Sequence, residues 1–287
     1  MSSPPSATAR DAATRAGSAS LRRACASAAC VAASIACANA QAPPPTAAPP
    51  LALPPVSVVG VAPLPGLGVE RDALPYTVQL GTAADLAGGA NGSLAEYLLR
   101  SLSGVNATDA QGSPFQRDIT YRGYTASSLI GAPQGISVFL DGVRFNAPFG
   151  DIVNWDLVPE AALAKVMLVP GSNPVYGLNT LGGALVLTTQ SGLTAPGFSA
   201  DLRAGSFGRR RADLAYGWND GAGLHAFVAG TYFDEDGWRD HSQGHLGNFF
   251  AKAGHAGASD EIEGELLYGK RPLVGNGLAP ETDSTDA

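Results

Sequence analysis

The sequence predicts a small α/β domain followed by the first strands of an antiparallel transmembrane β-barrel that is incomplete. Three observations support this fold class. The 287 residues include 36 Gly and 21 Pro, a composition that favours turns and short strands over helical bundles. The middle of the chain has short apolar runs separated by long connections rich in Gly and Asn. Beyond residue 197, polar and apolar residues alternate, which is typical of strands with two unlike faces.

Residues 1–42 form a predicted leader that contains a cleaved signal peptide. Arg22 and Arg23 precede an uncharged run over residues 24–38, and Ala38-Asn39-Ala40 offers a small-residue cleavage site. These are the three parts of a secretion signal. A short membrane helix is the alternative, but the run is shorter than the roughly 20 residues needed to span a bilayer. All three cysteines lie within this leader, so we expect a mature chain without disulfides.

Charge and motifs argue against several function classes. Four of the 18 basic and one of the 25 acidic residues precede residue 43, which leaves 14 basic and 24 acidic residues. We therefore expect no nucleic-acid partner. The sequence has no Gly-x-Ser-x-Gly elbow and no Walker lysine, so we predict that the protein is not an enzyme and uses no cofactor. Four polar residues have a spacing that suits a metal ion, but we interpret them as a polar surface and predict no metal site. They are Asp240, His241, His245 and His255.

Residues 43–69 form a predicted Pro-rich tether, which should be extended and unpacked. The tether carries one short β-prone run, Val56-Ser57-Val58-Val59, which is ended by Gly60 and a turn-rich stretch. The run has no obvious partner in its own chain. It is either the first edge strand of the next domain or a strand that another protein pairs with by β-augmentation.

Residues 70–192 are predicted to form the α/β domain. Ser93 and Glu96 have the spacing of a capping box in front of apolar residues at helical spacing, so we predict a helix that ends before Gly104. Four short strands are predicted at 118–122, 135–140, 165–169 and 184–189. The two connections 123–133 and 145–159 are long for a compact domain, and loops of that length are usually functional.

Residues 197–287 are predicted to form about five barrel strands, each close to the roughly 10 residues of an outer-membrane strand. The alternating segments are 198–204, 211–218, 224–233, 246–254 and 261–269. Aromatic residues lie toward strand ends, and short turns alternate with longer polar loops, as in membrane barrels. A soluble β-sandwich is the alternative, because its strands also alternate. We interpret Arg209-Arg210-Arg211 as a solvated strand end rather than a contact for lipopolysaccharide phosphates.

Several motifs in the middle of the chain occur in the order in which one known family has them. They are Arg122-Gly123, Asp141-Gly142, Tyr176-Gly177 and Gly182-Gly183. On these residues the chain resembles the plug domain and first barrel strands of TonB-dependent outer-membrane receptors. The resemblance covers approximately residues 56–280.

The resemblance implies energy-coupled import of a bulky nutrient, such as an iron chelate, across the outer membrane. Residues 70–192 would be the plug, and Val56 to Val59 would be the TonB box, which lends a strand to the TonB protein in the periplasm. The implied partners are TonB, outer-membrane lipid and a small-molecule ligand. A complete family barrel has about 22 strands, so the strands predicted here make an incomplete one. A soluble periplasmic binding or adhesion protein, with an α/β head and a β-rich tail, is the rival interpretation.

The resemblance also bears on the contacts of the plug. The family commonly has Glu where Met167 stands and Arg where Pro170 stands. Those charges typically hold plug to barrel, so we expect that contact to differ here. In the family, plug loops meet the ligand, and six residues of the two long loops are our candidates for ligand contact. They are Tyr124, Phe145, Asn146, Phe149, Asp151 and Trp155. The alternative is that the aromatic ones pack the plug against the wall.

Overall fold

The structure is a computed structural model that describes residues 58–60, 68–70, 74–87, 93–109, 115–237, 243–257 and 260–271. The predicted leader lies outside the described residues, as do Val56, Ser57, Asp240 and His241. Within the described ranges, no helix is both long enough and apolar enough to cross a membrane.

The predicted helix and the nine predicted strands of the two domains are confirmed, with small shifts of their ends. In chain order, the elements before residue 190 are β1 (Val58–Gly60), β2 (Gly68–Glu70), β3 (Gln79–Thr82), α1 (Ala83–Ala87), α2 (Leu94–Ser101), β4 (Val105–Thr108), β5 (Asp118–Tyr121), β6 (Tyr124–Ala126), β7 (Ile136–Leu140), β8 (Val143–Arg144), β9 (Leu163–Pro170) and β10 (Gly183–Thr189). The strands that follow are β11 (Gly197–Ala204), β12 (Arg210–Asn219), β13 (Leu224–Glu235), β14 (Gly244–Ala256) and β15 (Glu261–Lys270). Short 3-10 turns lie at Trp155–Leu157, Glu160–Ala162 and Pro174–Tyr176.

Helix α2 begins where the capping residues predict. The Ser93 hydroxyl accepts a hydrogen bond from the Glu96 N–H at 3.2 Å, which satisfies one of the free donors of the first turn. Leu94, Tyr97 and Leu98 are buried on one side of the helix. Their spacing of three and four residues places them on one face, and this face packs on the sheet of the α/β domain.

The sheet of the α/β domain has five strands in the spatial order β3-β9-β10-β7-β8. Strand β10 pairs parallel with β7 and antiparallel with β9, so the sheet is mixed. In β9, Val166 and Leu168 point into the core that includes α2, whereas Met167 and Val169 point into a second core on the opposite face. Because both faces are covered, the central strands are apolar at almost every position.

Two of the motif pairs form tight hairpin turns. Arg122-Gly123 joins β5 to β6 with φ angles of 50° and 88°, and Asp141-Gly142 joins β7 to β8 with φ angles of 46° and 85°. Positive φ at both central residues defines the type I′ turn, whose twist matches that of the two strands. Each motif pair therefore sets the turn geometry of its hairpin.

Strands β11 to β15 form a second five-stranded sheet, the wall, in which each strand pairs antiparallel with the next. Large apolar side chains on the face away from the α/β domain are exposed. They are Phe198, Leu202, Leu214, Tyr216, Trp218, Leu224, Val228, Tyr232, Phe249, Ile262, Leu266 and Tyr268. Charged residues such as Arg211 and Lys252 lie buried on the face toward the domain. A soluble sandwich would bury the apolar face, whereas a membrane barrel turns it outward.

Among the described residues, the wall is an open sheet with β11 and β15 at its edges. Strands β4, β5 and β6 form a small antiparallel sheet. Its residues Ile119, Tyr121 and Ala126 complete the core under helix α2. The α/β domain is thus a packed unit that rests with one side on the wall.

Candidate functional site

The seam between the α/β domain and the wall has a dry, apolar centre. Ala162 of the domain is fully buried and packs in one cluster with Ala215, Phe227, Ala229 and Phe250 of the wall. Alanines on both sides let the two backbones approach closely, and the two phenylalanine rings fill the space between them. This contact holds the domain on the wall by apolar burial.

A buried group of charges, which we call the Glu160 cluster, borders this centre. The Glu160 carboxylate lies 3.0 Å from the Arg211 guanidinium, and the two side chains are 11% and 4% exposed. Arg211 also contacts Asp213 through two nitrogens, at 2.6 and 3.2 Å. The second Glu160 oxygen accepts a hydrogen bond from the Leu94 N–H at 2.8 Å. Glu160 therefore joins the first turn of helix α2 to strand β12.

The Glu160 cluster holds two carboxylates and one guanidinium. Burial raises the pKa of the Glu160 carboxyl, whereas Arg211 and the Leu94 N–H act in the opposite direction. The negative charge of Asp213 adds to the rise in the pKa of Glu160. Desolvation of a charged group in a protein interior is unfavourable even when a partner is present, and here two anions share that partner.

A second group of charges, the Lys252 cluster, lies further along the seam. The Lys252 ammonium lies 3.4 Å from Asp141, 3.2 Å from Glu263 and 3.1 Å from Glu265. Asp141 is also tied within its own domain, because it accepts hydrogen bonds from the Thr189 N–H at 2.9 Å and from the Thr189 hydroxyl at 2.6 Å. The motif turn at Asp141 thus contacts the wall directly.

The interpretation of residues 209–211 as a solvated strand end is wrong for Arg211. Arg211 is buried in the Glu160 cluster, and Arg209 pairs with Glu235 at 2.8 Å. The physical reason is that β12 turns alternate residues toward the α/β domain, whose Glu160 lies far away in the sequence. Met167 lies in a core of its own domain, and the expected change of the plug contact at this position stays a prediction.

Five of the six predicted ligand residues fall into two groups, and Asp151, whose side chain is 26% exposed, lies between them. Tyr124 and Phe149 are 41% and 77% exposed, so they are available to a ligand or to another part of the protein. Asn146 and Trp155 are buried, and Phe145 packs against the core. Tyr124 lies against Gly135 and Gly182, and Asn146 bonds to Ile136 and Val138, so these two residues lie near the beginnings of β7 and β10.

The buried members of this set hold the loop 145–155 in place. The Asn146 amide oxygen accepts a hydrogen bond from the Val138 N–H at 2.7 Å, and its amide nitrogen donates to the Ile136 and Asp151 carbonyls at 3.2 Å. The Trp155 indole N–H donates to the Ala126 carbonyl at 3.3 Å. These bonds replace the backbone pairing that an irregular loop lacks.

Arg144 is a functional candidate that the sequence did not single out. Its guanidinium contacts the Asp151 carboxylate at 2.9 Å and donates to the Leu178 carbonyl at 2.8 Å. Asn179 donates to the other Asp151 oxygen. Arg144 and Asp151 therefore join loop 145–155 to the loop that carries Tyr176-Gly177. The only local signal is that Arg144 directly follows the Asp141-Gly142 hairpin.

The glycines of the last motif are required by close approach. A Cβ on Gly183, which has a φ of 154°, would lie 2.5 Å from the Val169 carbonyl oxygen. A Cβ on Gly182 would lie 2.5 Å from the Tyr124 side chain. Gly177 follows Tyr176 with a φ of 82°, a conformation that glycine adopts most easily. The segment is therefore shaped to bring Tyr124 against the start of β10.

Tyr176 of the same motif is a core residue. Its ring lies 5.7 Å from that of Phe139, edge to face, and it is 2% exposed. Within the described part of the chain its hydroxyl has no hydrogen-bond partner. Burial raises the pKa of Tyr176 to about 12.

The predicted strand-lending segment is described only in part. Val58 and Val59 lie in β1, which pairs antiparallel with β2 so that Val58 faces Glu70 and Val59 faces Val69. The segment therefore has a partner in its own chain, which the sequence did not indicate. The other edge of β1 carries no strand among the described residues.

Two of the four residues with metal-like spacing, His245 and His255, are described. His245 contacts Asp234, and His255 lies at the other end of the same strand. No group of three or more His, Cys, Asp or Glu side chains suited to a metal ion occurs in the part of the chain that the structure describes.

Comparisons with known proteins match the α/β domain to a family model and most of the chain to the fold of several solved structures. Residues 70–184 match the family model described as TonB-dependent Receptor Plug Domain. P. aeruginosa FpvA bound to a heterologous pyoverdine is 14% identical, with a TM-score of 0.57 over 73% of this chain and 28% of that one. BauA, the ferric preacinetobactin receptor from Acinetobacter baumannii, is 14% identical, with a TM-score of 0.55 over 74% and 30%.

A third similar structure is of a protein that is named for a different transported substance. The copper transporter OprC is 18% identical, with a TM-score of 0.52 over 70% of this chain and 31% of that one. At these identities the likeness shows the fold alone. The chain spans between 28% and 31% of the length of the three proteins.

Proposed function

We propose that this chain, whose residues 70–184 are a plug domain of the TonB-dependent receptor type, forms the plug and first barrel strands of an outer-membrane receptor for energy-coupled uptake. The observation that carries the proposal is the packing of the plug on the charged inner face of a sheet whose outer face is apolar and exposed. Lipid covers such an outer face in a membrane barrel.

The proposed ligand is a bulky nutrient such as an iron chelate. Two of the similar structures are named as receptors for pyoverdine and ferric preacinetobactin, which supports this class, whereas the similarity to a copper transporter widens it. Exposed Tyr124 and Phe149 are the proposed contacts, with Asp151 at the edge of the same loop. Asn146, Phe145 and Trp155 are proposed to shape that loop from beneath.

The proposed energy-coupling partner is the TonB protein of the periplasm. Residues 56–59 are the proposed TonB box, and the open edge of β1 suits pairing with a strand of the partner. Export through the predicted signal peptide would bring the chain to the outer membrane. Ligand binding at the plug loops, followed by a pull on this segment, would shift the plug and open a path beside the wall.

The test is uptake by the source bacterium after deletion of the gene. The probe is ⁵⁵Fe added to spent medium from an iron-starved culture of that bacterium, which contains its own iron chelators. We expect loss of ⁵⁵Fe accumulation, restored by the parent gene in trans. The matched variants are Val58→Pro, which removes a backbone donor from β1, and Ala52→Pro in the tether.

We expect Val58→Pro to abolish accumulation and Ala52→Pro to preserve it, with both proteins in the outer-membrane fraction. Recovery of the parent protein as a soluble periplasmic species would contradict the proposal and favour the binding-protein interpretation. Unchanged accumulation of ⁵⁵Fe in the deletion strain, with the protein in the outer membrane, would reject iron chelates as the ligand class.

A further inference from the structure

Both charged clusters of the seam contain more carboxylates than cations. In the Glu160 cluster, Glu160 and Asp213 share Arg211. In the Lys252 cluster, three carboxylates surround one ammonium. By formal charge each cluster therefore has more negative than positive groups, and burying charged groups is unfavourable unless each is well paired.

Glu160 is the carboxylate that the plug contributes to the Glu160 cluster. It is 11% exposed and lies between the Leu94 N–H and Arg211. Arg211 has a second, two-point contact with Asp213 on its own strand, so it stays neutralised if Glu160 moves away. Removing Glu160 from the seam thus leaves a matched pair on the wall, whereas keeping it there leaves one anion in excess.

A cavity lies directly beside this carboxylate. It has a volume of about 420 Å³ and lies between helix α1 of the plug and strands β11 and β12 of the wall. Its lining includes Ala83, Ala87, Glu160, Ala200, Arg211 and Asp213. A space of this size and polarity holds water readily, and because Glu160 lines it, a shift of the plug away from the wall would widen the contact of the carboxylate with that water. Ala162 of the apolar centre, by contrast, does not line this cavity.

We infer that Glu160 primes the plug for release from the wall, because its negative charge is in excess in the Glu160 cluster and gains more water from the adjacent cavity as the plug moves away from the wall. The apolar centre holds the plug, and Glu160 lowers the work needed to displace it. The importance of this release for transport rests on the proposed function, but the release itself is a property of this chain alone.

The experiment measures how often the apolar centre opens. A cysteine replaces Ala229, which is 4% exposed under the plug, in the full chain in detergent micelles. Labelling by fluorescein maleimide then requires displacement of the plug, and rates are normalised to the denatured chain. The test variant is Glu160→Gln, which removes the charge but keeps an acceptor for the Leu94 N–H.

We expect Glu160→Gln to slow labelling about tenfold and Asp213→Asn to slow it several-fold, because each removes the excess negative charge. Arg211→Gln should accelerate labelling about tenfold or more, since it leaves two carboxylates without their cation. The matched control is Glu235→Gln, whose partner Arg209 lies on the wall as well; its rate should stay within about twofold of the parent.

Acidification gives a second readout on the parent chain. Protonation of Glu160 removes the same charge, so labelling should slow as the pH falls from about 7 toward 5. The charged groups that face Glu160 are Arg211 and Asp213, with Asp201 and Arg203 on the far side of the cavity. Normalisation at each pH corrects for the thiol itself, and Glu160→Gln should lose this dependence.

The inference is overturned if Glu160→Gln accelerates labelling, since Glu160 would then hold the plug by attraction. Equal rates in Glu160→Gln and the parent would also overturn it. Should Arg211→Gln not fold, the two carboxylate variants still decide the matter. No partner or ligand enters the measurement, so its outcome does not depend on whether the protein imports anything.

Discussion

The sheet of the plug and the wall are both five-stranded, yet they place apolar side chains in opposite ways. Central strands of the plug sheet are apolar on both faces, because helix α2 and a second core cover them. Wall strands are apolar on the exposed face and carry charges on the covered one. The comparison teaches that burial alone does not identify the core of this protein. Whether a face is apolar depends on its surroundings, which are the protein core for the plug sheet and, by our proposal, lipid for the outer face of the wall.

The largest expected effect is the difference in stability loss between the same Leu→Ala substitution in the two sheets. Leu187→Ala in β10 removes a fully buried side chain and should cost about 2–5 kcal/mol of unfolding free energy. Leu202→Ala in β11, where the side chain is 75% exposed, should cost less than about 1 kcal/mol. Urea unfolding in detergent micelles, followed by tryptophan fluorescence, measures both. Equal losses would mean that the outer face of the wall packs against protein.

A charge on the wall tests which solvent covers it. Leu202→Arg should destabilise the protein in phospholipid vesicles by about 2–4 kcal/mol if residue 202 lies near the middle of the bilayer. Ser206→Arg, in the exposed loop after β11, is the matched control and should change stability by less than about 0.5 kcal/mol. Unchanged stability of Leu202→Arg in vesicles would contradict contact of residue 202 with lipid.

The contrast between buried and exposed side chains recurs within the long loop of the plug. Asn146→Ala leaves the Val138 N–H and two carbonyls without their partner and should cost about 1–3 kcal/mol. Phe149→Ala should leave stability within about 0.5 kcal/mol. Thermal unfolding of both variants provides the measurement. A large loss in Phe149→Ala would place this ring in a packing role and remove it from the proposed ligand contacts.

The smallest expected effect concerns the buried Tyr176 hydroxyl. Its pKa is raised from 10 to about 12, so its contribution to stability is complete below about pH 10 and is lost as the pH rises toward 12. Tyr176→Phe removes a hydroxyl without a partner and should change stability at neutral pH by less than about 1 kcal/mol. The variant should lose about 2 kcal/mol less than the parent between pH 10 and 12. An identical pH profile would disprove this assignment.

The elements that sequence predicts well are those with a local physical cause. Helix α2 follows from Ser93 and the spacing of Leu94, Tyr97 and Leu98, and the hairpin at Asp141-Gly142 follows from the conformations that the pair favours. The wall strands follow from their alternation. Each of these signals lies within about ten residues of chain, the length of one element, so no knowledge of distant contacts is needed.

The parts that the sequence does not reveal depend on pairs of distant residues. Glu160 and Arg211 meet across the seam, and Arg144 meets Leu178 across two loops. Neither contact leaves a periodic or turn-like signal near either residue. The same holds for the pairing of β1 with β2, and for the separation of the six loop candidates into exposed and buried members.

The central claim is that a plug rests on the inner face of a membrane wall, and one measurement tests it most directly. Nitroxide labels at each position from 198 to 203, in the full chain in phospholipid vesicles, report access to oxygen and to a water-soluble nickel complex. The account predicts that 198, 200 and 202 meet oxygen but little nickel, whereas 199, 201 and 203 behave oppositely or meet neither. Access of the nickel complex to both sets would contradict a membrane wall and indicate a soluble sheet.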